Sequence, residues 1–274
     1  MVTPVADIVK AYDRGFDDLT AAEGELLWSE EGALRLVHRH LQTEKPQDGE
    51  VWFDDEVDYL YEGVVARERI REAAENYRSI WPQCWQFLQE PPKVTSTAEG
   101  AFEVRVNYVH LALDTRRLRK WQWERCYHIR EADGGNPIIT TFLNEEVRKT
   151  LPLTDAERRF LLGHFCQNYY DAGCATSDVS QLVFLYDPTY YIDEDHTLNE
   201  ISQSLEHYHS IRPKRQLSLK AMSDIECLEE DLYLIVCLFE AKRDVGYDPV
   251  VITDIMQVRF FDDEPHVVYV KPRP

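Results

Sequence analysis

The sequence predicts an α+β protein built twice over: two related halves, joined near residue 151, each running from helices into long strands. Three observations carry this. Helical and strand periodicities follow the same order in both halves. The segment Tyr77-Arg78-Ser79-Ile80-Trp81-Pro82 returns as Tyr208-His209-Ser210-Ile211-Arg212-Pro213, an offset of 131 residues. The 274-residue length suits two domains of ordinary size.

The elements follow in chain order. Thr3 can cap a first helix over about 3–20 whose stripe is Val5, Ile8, Val9, Tyr12 and Phe16. A second helix spans about 30–42, with Leu34, Val37 and Leu41 in register. Residues 44–50, with Pro46 and Gly49, read as a loop, and 51–61 as an aromatic strand. Residues 67–80 form a helix with Ile70, Ala74, Tyr77 and Ile80/Trp81 on one face, ended by Pro82. Strands follow at 85–88, 94–97, 101–113, 120–130 and 138–142. Ala132-Asp133-Gly134-Gly135-Asn136 forms the turn between the last two.

After Leu151-Pro152-Leu153, Thr154 with Glu157 makes a capping box for a new helix. A strand at 182–192, a helix at 198–211 and strands at 216–220, 231–242, 250–261 and 267–271 complete the second half. Carried back without a gap, the offset gives seven identities between 57–82 and 188–213, where ordinary residue frequencies give about one or two. The boundaries read as a helical extension at 1–27, a first domain at 28–150 and a second at 151–274.

Net charge is −20, shared as −9 over 1–150 and −11 over 151–274. Such a surface repels phosphate backbones and anionic lipid, which disfavours nucleic acid and membrane as partners. It would suit a basic partner. Six cysteines, none in a C-x-x-C pair, and no basic-then-apolar leader point to free thiols in a cytoplasmic protein. His38 with His40, and His207 with His209, lie two apart on helices, so each pair projects apart and offers no metal site. No Gly-rich phosphate loop or nucleophile elbow is present, and nothing calls for a cofactor.

Each half resembles the nuclear transport factor 2-like superfamily, the cystatin-like or polyketide-cyclase-like α+β cone. In the first half the resemblance rests on Asp58-Tyr59-Leu60-Tyr61-Glu62-Gly63, the helix at 67–80 and Trp81-Pro82. In the second it rests on Tyr186-Asp187-Pro188-Thr189-Tyr190-Tyr191 and the helix ending before Pro213. It implies a strongly curved antiparallel sheet wrapped around helices, with a cavity at the wide end. Open sheet faces in this superfamily form dimers, which implies a homodimer or an internal pseudo-dimer.

Superfamily enzymes place acid and base residues inside the cone, which would make Asp58, Tyr59, His110 and Glu124 the catalytic candidates. Tyr61, Tyr108, Trp121, Trp123 and Tyr190 are the ligand-binding candidates, an aromatic lining for a flat small molecule. At the same offset Tyr59 recurs as Tyr190, but Asp58 becomes Thr189. The scaffold recurs and the polar positions do not. The expectation is therefore a non-enzymatic module that binds a protein or a small apolar or aromatic ligand. The alternative is an isomerase, dehydratase or cyclase using a carboxylate with Tyr or His in the first cone.

Overall fold

The computed structural model describes residues 12, 24–43, 50–60, 62–114, 117–174, 198–211, 216–223, 225–242 and 248–273. The chain folds as two compact units. The first carries the described residues up to 152 apart from 117 and 118, and the second carries those two and the residues from 153 onward. The fold class is α+β; two helices pack on the first sheet and the helix at 155–172 packs on the second.

The first unit opens on α1 (Glu30–Thr43). Ser29 caps it: its hydroxyl accepts from the Gly32 N–H at 3.0 Å. Ala33, Leu36, Val37 and Leu41 fall at helical spacing and are buried, so the stripe faces the core. β1 (Phe53–Tyr59) turns into β2 (Gly63–Ala66) through a tight corner. Leu60 and Gly63 both take positive φ there, 50° and 76°, and glycine supplies the second at no steric cost. The single strand expected over 51–61 is therefore a strand and a hairpin.

α2 (Arg67–Ile80) begins and ends where the periodicity places it. Ile70 is buried and Tyr77 faces inward, but Ile80, on the last turn, is 63% exposed. Trp81 takes the inward direction instead. Then come β3 (Gln83–Leu88), β4 (Lys93–Ser96), β5 (Phe102–Leu113), β6 (Leu118–Glu131) and β7 (Pro137–Thr150). Gly135, at φ 78°, sets the turn between β6 and β7.

The sheet order is β2-β1-β7-β6-β5-β3, with β4 paired to β5. The sheet is not purely antiparallel, because β1 and β7 run parallel. Parallel neighbours need a long crossover, and here the chain passes through α2 and the whole meander before β7 returns to β1. Trp52, Val57, Val104, Tyr108, Tyr127, Ile129 and Ile139 form the core with the apolar stripe of α1.

In the second unit Thr154 caps α3 (Asp155–Ala172) with the reciprocal bonds of a capping box to Glu157. After it come α4 (Leu198–Ile211), β8 (Gln216–Met222), β9 (Glu226–Glu229), β10 (Leu232–Lys242), β11 (Val250–Phe261) and β12 (Glu264–Arg273). The sheet order is β12-β11-β10-β8, with β9 paired to β10, all antiparallel. Element for element this repeats β7-β6-β5-β3 with β4 on β5. The expected helix over 3–20, apart from residue 12, and the expected strand over 182–192 lie outside the described residues. Among the described residues no helix is long and apolar enough to cross a membrane.

Candidate functional site

A cavity of about 480 Å³ lies inside the first unit, between α2 and the sheet face that carries Trp121, Trp123 and Arg125. α2 supplies one side: Ile70, Ala73, Ala74 and Tyr77, at i, i+3, i+4 and i+7, project together, and Trp81 follows. β6 supplies the other: Trp121, Trp123 and Arg125 alternate on one face. Tyr59, His110 and Phe142 close it, with Glu62 also lining the cavity.

The walls are aromatic and mutually braced. Trp81 meets Trp121 edge-on at 5.7 Å, and Trp121 lies 5.8 Å from the His110 ring. Tyr59 stacks on Phe142 at 5.4 Å. The polar groups are few and each is placed. Tyr77 Oη is 2.8 Å from His110 Nε2, and His40 Nδ1 is 3.1 Å from Tyr127 Oη. The Arg125 guanidinium sits over the Phe142 ring at 4.2 Å and the Tyr108 ring at 5.0 Å. Its Nε donates to Asn144 Oδ1 at 2.9 Å.

Burial, and then the positive charge of Arg125, push both imidazoles from 6.5 down to about 3. Both are therefore neutral at ordinary pH. The carboxylate of Glu62 is held by Arg69 through both oxygens, at 3.0 and 3.1 Å.

The residues singled out from sequence separate by face. Tyr59, His110, Trp121 and Trp123 meet at the cavity. Tyr108 is fully buried beneath Arg125. Asp58 alternates with Val57 and Tyr59, so it points to the other face of β1. Glu124 alternates with Trp123 and Arg125 and takes the other face of β6. Neither carboxylate lines the cavity. Tyr61 and Tyr190 lie outside the described residues.

Sequence reasoning places none of Arg125, His40, Tyr77 and Asn144 at the site, although it weighs His40 as half of a metal pair and puts Tyr77 on the inner face of its helix. A signal exists for Arg125: it continues the two-residue spacing of Trp121 and Trp123. His40 sits among the apolar residues of α1, where only the tertiary partner Tyr127 explains an imidazole.

Two further polar groupings lie outside the cavity. Among the described residues, Glu103, Cys126 and His128 are the one set of metal-ligating side chains with all ligand atoms within 4.8 Å. Arg105 already binds Glu103 at 2.7 Å, and burial, reinforced by nearby carboxylates, pushes the Cys126 thiol up to about 12. That arrangement is an ion-pair cluster beside a protonated thiol. In the second unit Tyr170 donates to buried Asp254 at 3.0 Å and stacks on Phe239 at 4.6 Å. A broad groove of about 660 Å³ also exists in the first unit, lined by Asp54, Asp55, Arg67 and Arg130. Both of its arginines are paired, Arg67 with Asp55 and Arg130 with Asp54, each at 2.6 Å.

No family model matches the chain, and no curated protein matches it. Among solved structures it is similar to Bd1075 of Bdellovibrio bacteriovorus, at 13% identity and TM-score 0.38, over 52% of this chain and 49% of that one. It is also similar to the helical cell shape determining protein Pgp2 of Campylobacter jejuni, at 13% identity and TM-score 0.35, over 48% and 47%. The matches span about half the length of those two proteins. An Ntf2-like protein involved in plasmid conjugation matches over 75% of this chain and 88% of that one, at 8% identity and TM-score 0.30.

Proposed function

We propose that this is a non-enzymatic binding protein made of two duplicated nuclear transport factor 2-like cones, the first of which holds a small, flat, apolar ligand. The observation that carries the ligand reading is the aromatic cavity of about 480 Å³. That volume is within the range of small-molecule sites, and its walls are mostly ring faces with a few fixed polar groups.

The duplication reading is supported by α2 and α4. Both have fourteen residues, and their bounds, 67–80 and 198–211, differ by 131 at each end. That offset is the one the sequence repeat gives, and the shared strand order supports the same reading. The binding reading over catalysis is supported by the protonation chemistry. A general base works best with a pKa near the operating pH, and both cavity imidazoles lie far below it. The lining carboxylate, Glu62, is tied up by Arg69.

The test is calorimetric titration with 2-naphthamide, a flat neutral probe. One saturable site per chain is expected. Replacing Ala74, on the cavity wall, by tryptophan fills the space and should abolish binding while leaving the urea midpoint of the chain in place. Absence of binding to the unaltered chain, or unchanged binding by Ala74→Trp, would contradict the reading.

A further inference from the structure

We infer that the ligand of this cavity is a neutral hydroxyarene whose hydroxyl bonds the imidazole of His110. The inference rests on the binding reading above and adds to it a polar group of the ligand and the residue that reads it.

His110 is 5% exposed, and its Nε2 is taken by Tyr77 Oη at 2.8 Å. Its Nδ1 has no hydrogen-bond partner among the described residues. A polar atom that gives up water without finding a partner is costly, so such atoms are rare in proteins. Nδ1 is not one of the sealed, unbonded polar atoms of this chain, so it meets open space. The open space that His110 lines is the cavity.

His40 also bonds through one nitrogen, with its Nδ1 3.1 Å from Tyr127 Oη. Four rings, Trp52, Phe53, Tyr127 and Phe142, crowd it edge-on, with centroids 5.0 to 6.3 Å away. The two rings against His110 are those of Tyr77 and Trp121, and both are walls of the cavity. A ligand lying along those walls therefore reaches His110.

In a neutral imidazole one nitrogen donates and the other accepts. Tyr77 engages Nε2, and Nδ1 keeps whichever role remains. A hydroxyl fits either case, because it both donates and accepts. It is uncharged, as this imidazole is at pH 7. An ionised group would surrender its water to a neutral partner, which repays little of that cost. A phenolic hydroxyl stays un-ionised at pH 7 and lies in the plane of its ring. The ring can thus lie against Trp81, Trp121 and Trp123 while its hydroxyl meets His110.

The experiment measures 2-naphthol and 2-methylnaphthalene in competition with 2-naphthamide. The two competitors are close in size and shape and differ by a hydroxyl for a methyl. Transfer out of water favours the methyl compound, so a preference for naphthol reports a hydrogen bond. On the unaltered chain naphthol should bind about 10-fold tighter, because the methyl compound also closes off Nδ1 unbonded. His110→Phe keeps a flat ring without its nitrogens and should reverse the order of the two probes. In the unaltered chain the imidazole nitrogen NMR signals of His110 should shift with naphthol and stay in place with methylnaphthalene.

Naphthol binding no tighter than methylnaphthalene overturns the inference and needs no variant. So does a naphthol preference that survives in His110→Phe, or imidazole nitrogen signals indifferent to naphthol. If naphthamide itself does not bind, the binding reading fails instead, which separates the two.

Discussion

Lowering the pH from 7 to 5 is expected to weaken the first unit by roughly 4 kcal/mol, the sum for two histidines that take up a proton only on unfolding. His40 and His110 titrate near 6.5 when exposed and near 3 in the fold, because of burial first and Arg125 second. Between those values the unfolded chain binds the protons and the folded chain does not. The stability is thus complete above about pH 6.5 and is lost progressively as pH falls toward 3. The readout is clean, because all six tryptophans lie between residues 28 and 123, within the first unit. Urea unfolding followed by indole emission at several pH values measures it directly. Replacing both histidines by glutamine should flatten the dependence over pH 5–7. A midpoint indifferent to pH across that window would show that the imidazoles are not buried as described. His164, also lowered by burial, adds an effect of the same sign in the second unit, which indole emission does not report.

Gly32→Ala is expected to cost about 2 to 3 kcal/mol, although alanine is the better helix former by about 1 kcal/mol. Gly32 sits in the first turn of α1. A Cβ placed there would fall 1.8 Å from the Leu27 carbonyl oxygen, which is backbone and cannot rotate away. The 24–29 segment would have to move off the helix end, and with it the Ser29 cap and the Trp28 N–H bond to Gly135 O at 2.9 Å. The overlap outweighs the propensity gain, so the sign is fixed by the contact. A shift of the urea midpoint in the stabilising direction would mean the helix start is looser than described.

Several elements can be read directly from residues. Pro82 and an unbroken apolar stripe bound α2, the Thr154–Glu157 pair starts α3, and the Gly134-Gly135 turn joins β6 to β7. Each is encoded within a few positions. β7 is longer than its apolar part, 138–142, because residues 143–150 are mostly polar and are held as strand by pairing with β6. β2 and β9 have four residues each, too few to show a period. The parallel pairing of β1 with β7 depends on strands about eighty residues apart and has no local signature.

The candidate site follows the same division. The aromatic members Tyr59, Trp121 and Trp123, with His110, follow from strand alternation. Asp58 and Glu124 stand out by their chemistry, and the same alternation turns both away from the cavity. Arg125 is hidden in the sequence because a charged residue on a strand ordinarily faces water. The rings of Phe142 and Tyr108 beneath it and the Asn144 amide beside it help account for its place inside.

The central claim is that the first unit binds a flat aromatic ligand in this cavity. The most direct test follows the six tryptophan indole N–H signals by NMR during addition of 2-naphthamide. Trp81, Trp121 and Trp123 line the cavity, whereas Trp52 is buried with its Nε1 bonded to Glu50 at 3.0 Å and Trp28 packs on Phe102 at 4.8 Å. Saturable shifts at the three lining indoles, with Trp28, Trp52 and Trp85 unmoved, are predicted. No saturable shift, or shifts concentrated on Trp28, Trp52 and Trp85, would contradict it.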